Sequence, residues 1–199
     1  MGLRLHEEVR MAKLIYSAIG SLDGYLNDSE GRYDWAVPSD EVFAFINDRE
    51  RSAGTYLYGR RMYEEMIAWE TGDFTAEGPL MEDFAHLWRK AEKVVFSRTL
   101  AGVSTSRTRL MREFEPESIR RLKESCDDDL LIGGAVLGGQ ALEAGLVDEV
   151  QVYFAPILIG GGTRVFPSNA RVPLNLVEHK RFDNGMTFHR YACAGHGQP

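Results

Sequence analysis

The chain predicts a three-layer α/β/α domain. It has a mostly parallel central sheet of about eight strands, helices on both faces and an antiparallel hairpin at the C-terminal edge. Three observations carry this reading. Apolar strand-like runs alternate with helix-like runs along the chain, the pattern of parallel strands joined by helical crossovers. Leu130-Leu131-Ile132 runs straight into Gly133-Gly134, and that pair runs straight into a helix-like stretch reaching Gly145. Leu174 to Phe182 and Met186 to Cys193 flank Asp183-Asn184-Gly185, a hairpin-turn signal.

Leu14 to Ile19 reads as a first, central strand, followed by a polar, Gly- and Asp-rich loop from Ser21 to Trp35. Pro38 and Ser39 then start a helix, with Ser39 as its N-cap, Asp40 and Glu41 suiting its positive end, and Val42, Phe43, Phe45 and Ile46 forming the buried stripe. Thr55 to Tyr58 is a second strand ended by Gly59, and a helix runs on through Met62, Met66 and Ile67. Thr71 to Pro79 is loop, Leu80 to Lys90 helix and Lys93 to Phe96 a third strand. A weaker strand lies at Thr108 to Met111, and Pro116 opens the helix Glu117 to Ser125, where a first turn tolerates it. Glu149 to Ala155 is a strong strand before the closing hairpin.

With 199 residues and 44% hydrophobic content the chain can fill one sizeable core. The reading is a flexible N-terminal extension over residues 1–11 and a single domain over 12–195. No apolar window is long enough to span a membrane, and Met1 to Arg10 lacks the apolar core of a secretory signal. A net charge of −7 argues against nucleic acid or an anionic membrane as partner, while leaving room for a small anionic ligand held by a few arginines. Cys126 and Cys193 are too few for a disulfide framework, which suits a reducing cytoplasm. The histidines show no metal-ligand spacing.

A strand that meets a Gly pair and then a helix presents bare backbone N–H groups and a positive helix end to a phosphate. Gly133-Gly134 is such a turn, but Ala135 stands where the G-x-G-x-x-G fingerprint needs its second glycine. A dinucleotide bound here is bound on a different fold. Ser97-Arg98 at the end of the third strand combines a hydroxyl with a guanidinium, sound chemistry for a phosphate dianion.

Four motifs stand in order. They are Ser21-Leu22-Asp23-Gly24, Tyr58-Gly59-Arg60-Arg61-Met62-Tyr63, Phe96-Ser97-Arg98-Thr99-Leu100 and Ile132-Gly133-Gly134, with Asp34-Trp35 and Gly161-Gly162-Thr163 between and beyond them. Together, over residues 12–193, they resemble the dihydrofolate-reductase-like superfamily. The nearer branch contains the reductase (C-terminal) domain of the bacterial riboflavin-biosynthesis deaminase-reductase. No deaminase half is expected within these residues, because no His-x-Glu precedes a Cys-x-x-Cys.

The resemblance implies a reductase that binds NADPH. Arg60 matches the residue that holds the cofactor phosphates, and Ser97 and Arg98 match the site of the ribose 2′-phosphate. Gly133, Gly134 and Ala135 match the turn against the pyrophosphate, and Ile19, Gly59 and Thr163 fall along the same cofactor. Asp23 matches the loop beside the nicotinamide, where it is a candidate for proton transfer. Trp35 and Asp40 match a segment in which a Trp precedes a helix bearing the substrate carboxylate. A buried carboxylate at Asp40 would hydrogen-bond an N–C–N edge and assist protonation.

The chain departs from true dihydrofolate reductases at Met62, where they carry a Thr, and it lacks an identifiable Arg for a folate glutamate tail. The substrate implied is a ribosylamino-pyrimidine of the 5-amino-6-(5-phosphoribosylamino)uracil type, with dihydrofolate or a pterin second. A nucleotide-binding protein without efficient catalysis is the reading from another class. Relatives of this branch suggest a homodimer, and Tyr153, Phe154 and Phe182 on the final strands offer either an association surface or monomer core.

Overall fold

The computed structural model describes residues 11–194. The expected extension over 1–11 lies, apart from Met11, outside the described residues, as does the last residue of the expected domain 12–195.

The elements run β1 (Leu14–Ser21), β2 (Tyr25–Asn27), a 3-10 turn (Asp34–Ala36), α1 (Asp40–Glu50), β3 (Ala53–Gly59), α2 (Arg60–Met66), α3 (Ala68–Thr71), α4 (Pro79–Lys90), β4 (Glu92–Phe96) and β5 (Thr108–Met111). They continue with α5 (Pro116–Ser125), β6 (Asp129–Gly133), α6 (Ala135–Glu143), β7 (Glu149–Ala155), β8 (Thr163–Arg164), β9 (Leu174–Arg181) and β10 (Thr187–Cys193). Eight strands form one sheet in the order β5-β4-β3-β6-β1-β7-β10-β9. Pairing is parallel from β5 to β7, and β10 runs antiparallel to both β7 and β9. The α/β expectation with its closing hairpin holds.

The strand sequences show why. Every residue of β6 is buried, because helices cover both faces of a parallel sheet and leave no room for polar alternation. On one face Val42 and Ile46 of α1 and Phe84 and Trp88 of α4 pack on Ile15, Tyr58, Leu131 and Tyr153. On the other, Ile119 of α5 and Leu137, Ala141 and Leu142 of α6 pack on Leu14, Tyr16, Leu57 and Ile132. At Gly138 the ring of Tyr16 lies directly on α6, since a Cβ there would sit 2.3 Å from the ring. The Tyr16 hydroxyl donates to the Val165 carbonyl at 2.6 Å, tying the segment after β8 to the central strand.

Three expectations need correction, and one left open is decided. The loop from Ser21 to Trp35 contains β2, which pairs with β8 in a two-stranded ribbon, and a 3-10 turn that begins at Asp34. The helix expected to run through Ile67 is divided, because α2 stops at Met66 and α3 restarts at Ala68. Ser39 makes no side-chain cap; only its backbone carbonyl serves α1, accepting from the Phe43 N–H at 2.8 Å. Tyr153 and Phe182 are core residues, 2% and 1% exposed, where Phe45 of α1 meets them edge-on. The exposed aliphatics at that edge are Leu174, Leu176 and Val177 of β9.

Candidate active site

Register places three of the motifs side by side. Tyr58 pairs with Gly133 and Gly59 with Phe96, so the C-terminal ends of β6, β3 and β4 are neighbours. Gly133-Gly134, Gly59-Arg60 and Ser97-Arg98 therefore form one row along the sheet edge, spaced by adjacent strands about 4.8 Å apart. In an open α/β sheet this edge is where ligands sit.

The turn into α6 needs its glycine. Gly134 adopts φ +91°, a left-handed conformation that side chains resist. The first N–H groups of α6 have no helical acceptor, and Gly134 carries no side chain to cap them. A Cβ at Gly134 would meet only the Met62 Cβ at 3.9 Å, and one at Gly59 would meet nothing within 4 Å. Open space thus lies directly over uncapped backbone donors.

Around this row the side chains divide into free and committed groups. Arg60 is exposed and only loosely paired with Glu64 at 3.8 Å, and Arg98 is exposed beside Glu113 at 3.4 Å. Ser97 is buried, and its Oγ accepts from the N–H groups of Thr99 at 3.3 Å and Leu100 at 3.0 Å. It shapes the turn that presents Arg98, and of the pair only the guanidinium is exposed.

Asp23 is also committed. Its carboxylate accepts from the Ser21 hydroxyl at 2.6 Å, the Gly160 N–H at 2.8 Å and the Ile159 N–H at 3.2 Å. The Ser21 hydroxyl chiefly holds its pKa below the ordinary 3.8; desolvation opposes it, and the Gly160 and Ile159 amides add to the lowering. An anion held this way is a poor proton donor and a good tether, so the expectation that Asp23 transfers a proton meets a physical obstacle. The tie is reinforced where the Leu22 N–H donates to the Ile157 carbonyl at 2.9 Å. Thr163 lies in the same ribbon, its N–H 3.3 Å from the Asn27 Oδ1, and not in the strand-end row.

Asp40 opens α1 and is exposed, which corrects the expectation of a buried carboxylate. It shares a helix face with Phe43 and Asn47. Phe43 faces Trp69 at 6.5 Å and Phe84 at 5.7 Å between ring centroids. Ile19, at the end of the central strand, is half-buried on this same side of the sheet, as are Met62, Met66 and Trp69. These groups belong to one partly buried apolar cluster on this face of the sheet. At its Gly133 end the Met62 Cε stands 3.5 Å from a notional Cβ. Trp35, on the 3-10 turn, is half-buried, and its indole N–H is shielded from water with no partner among the described residues.

Met62 and Met66 are spaced i, i+4, and that stripe was legible as a helix face; that it joins Phe43 and Trp69 in one partly buried cluster was not. Nothing local in the sequence signals that Asp23 reaches residues 159 and 160.

The model of the RibD C-terminal domain family matches residues 12–188. The chain belongs to the RibD C-terminal domain family. Among curated proteins, this RibD-type domain is 26% identical over 185 residues to the uncharacterized protein YyaP of Bacillus subtilis, covering 89% of this chain and 93% of that protein. Among solved structures it is similar to the Thermotoga maritima diaminohydroxyphosphoribosylaminopyrimidine deaminase/5-amino-6-(5-phosphoribosylamino)uracil reductase. The TM-score is 0.63 at 17% identity, covering 92% of this chain and 57% of that one. It is also similar to Enterococcus faecalis dihydrofolate reductase complexed with NADP(H), TM-score 0.60 at 16% identity, covering 91% and 96%. Among the described residues, no helix of this RibD-type domain is long and apolar enough to cross a membrane.

Proposed function

We propose that the protein is an NADPH-dependent reductase that passes a hydride to a small nitrogen heterocycle. The observation that carries this is the row Gly133-Gly134, Gly59-Arg60, Ser97-Arg98 on three adjacent strand ends, with open space over the Gly turns. Membership of the RibD family implies a reductase, and the NADP(H) complex of the enterococcal relative supports a nicotinamide cofactor.

In this reading the α6 N–H groups receive the pyrophosphate, whose charge suits the positive helix end. Arg60 adds a cation beside it. Arg98, two strands along, supplies the guanidinium for a ribose 2′-phosphate, which favours NADPH over NADH. NADPH, when bound, supplies the hydride. The chain supplies orientation and a dry apolar wall, with Ile19 and Met62 at the corner where cofactor and substrate meet. Asp23 keeps residues 159–160 closed against the Ser21–Gly24 loop. Asp40 accepts a substrate N–H at the start of α1 and connects it to bulk water as a proton source. The 5-amino-6-(5-phosphoribosylamino)uracil named for the Thermotoga relative and the pterin-type ring are the two substrate families that the resemblance offers.

One observation favours a second reading, a nucleotide-binding protein without efficient turnover. Neither Asp23, held as an anion, nor Asp40, exposed, is a buried acid ready to protonate a substrate. Loss of nicotinamide absorbance with a panel of pyrimidines and pterins separates the two. Substrate-dependent oxidation of NADPH supports the reductase, and NADPH binding without oxidation across the panel supports the second reading.

A further inference from the structure

Resting on the reductase reading above, we propose that Arg112 is a positioning residue for nucleotide selectivity: it clamps the main chain of the turn that carries Arg98, and so sets the preference for NADPH over NADH. The need for a clamp follows from the topology. β4 and β5 are adjacent parallel strands, and a parallel crossover is usually ordered by a helix of its own. Residues 97–107, which make this crossover, contain no helix. Without a helical ladder the segment keeps the conformational freedom of an irregular chain unless side chains elsewhere hold it.

Two separate sets of contacts do so. The far half is held by α2 and α3. The buried Tyr63 hydroxyl accepts from the N–H groups of Ser104 at 2.9 Å and Thr105 at 3.2 Å, which fills both its lone pairs. Its own proton then goes to the Thr105 Oγ1 at 3.0 Å, and the Glu70 Oε1 accepts from the Ser106 N–H at 2.9 Å. The near half is held from the end of β5. Arg112 directly follows that strand, and its Nη1 donates to the carbonyls of Leu100 at 2.6 Å and Ser97 at 3.3 Å. Those two carbonyls bracket Arg98-Thr99.

The Arg98 turn is therefore tied from both sides. Inside it, the Ser97 Oγ accepts the Thr99 and Leu100 amides; outside it, Arg112 joins the two carbonyls. The Ser97 N–H donates to the carbonyl of Met111, the residue before Arg112, at 2.9 Å, so β5 is the frame for the whole turn. The hold on the Arg98 side chain is weaker. Its guanidinium meets Glu113 at 3.4 Å with both groups exposed, and such pairs add little in water. Placement of that guanidinium thus rests on its main chain, where Arg112 supplies charge-assisted bonds. A fixed guanidinium binds a phosphate without first being ordered, and a loose one binds more weakly by the cost of ordering it. The ribose 2′-phosphate of NADPH reads that difference, while NADH has a hydroxyl there and does not.

A double-mutant cycle on the full chain tests this. The Kd of NADPH and of NADH is measured by calorimetric titration for wild type, Arg112→Met, Arg98→Ala and the double variant. Arg112 is exposed, so Met keeps the stem of the side chain and the fold while removing the donors. Arg112→Met is expected to weaken NADPH about fivefold and to leave NADH unchanged. Hydrogen exchange at the Thr99 and Leu100 amides should speed in this variant, with the β4 amides unaffected. In the Arg98→Ala background Arg112→Met should add no further loss, because the group it positions is gone. An unchanged NADPH Kd in Arg112→Met overturns the inference, as does an equal loss for NADH. A further loss in the Arg98→Ala background overturns it too, since Arg112 would then act on the nucleotide by itself. A wild-type chain that binds neither nucleotide, or both equally, or that is indifferent to Arg98→Ala, defeats the cofactor reading and this inference with it. The first three results leave selective NADPH binding in place and remove the inference alone.

Discussion

Glu50 closes α1 far from the strand-end row, and its carboxyl group governs how stability depends on pH. The residue is half-buried, but its carboxyl end is withdrawn from water, where the Tyr56 hydroxyl donates to Oε2 at 2.7 Å. Burial pushes the group up from 4.5 to about 7, and the Tyr56 hydrogen bond opposes that rise only in part. A gap of about 2.5 pH units, at ~1.36 kcal/mol per unit, is worth about 3 kcal/mol. Its sign follows from proton counts. Between the unfolded and folded values the native state keeps a proton that the unfolded chain has lost, so stability falls as pH rises through that window. The stabilisation is complete below 4.5 and lost above about 7. Glu50→Gln preserves an oxygen for Tyr56 and removes the ionisation. Urea unfolding of both proteins from about pH 5 to about pH 8 should show the variant gaining about 2.5 kcal/mol relative to wild type, because the other titrating groups cancel in the difference. A difference that stays flat across that range would refute the reasoning.

Two further outcomes follow from packing and tethering. Gly138→Ala drives a methyl into the buried Tyr16 ring, and should lower the free energy of unfolding by about 1–3 kcal/mol in the same urea assay. Asp23→Asn removes the charge that holds the Ile159 and Gly160 amides, so hydrogen exchange there should speed about tenfold while β7 amides are unaffected. Because Asp23 titrates below 3.8, the wild-type tether should persist down to that pH and open only as pH falls further.

The elements were legible because each rests on a local signal. The continuous apolar run Leu130–Ile132 could only be a buried strand, and the Asp-Asn-Gly turn fixed the β9–β10 hairpin. The strand-end row was legible by motif order, because parallel strands deliver all their C-terminal turns to one edge. What the chain hides is set by contacts distant in sequence. Asp23 lies 136 residues from the Ile159 amide it accepts, so a carboxylate that looks catalytic in its Asp-Gly turn is a tether in the fold. Asp40 matches a buried carboxylate by position, but it begins α1 on the exposed side of its first turn and stays in water. Tyr153 and Phe182 looked equally suited to an interface, and only the approach of Phe45 from α1 makes them core.

The account turns on whether the strand-end row holds NADPH, and the most direct measurement is the Kd of NADPH and of NADH for wild type and Arg98→Ala by calorimetric titration. The predicted result is tighter binding of NADPH than of NADH, with Arg98→Ala weakening NADPH about tenfold and leaving NADH unchanged. No binding of either nucleotide to the wild-type chain would contradict the account, and the open Gly turns at 59 and 134 would then be tight turns and nothing more.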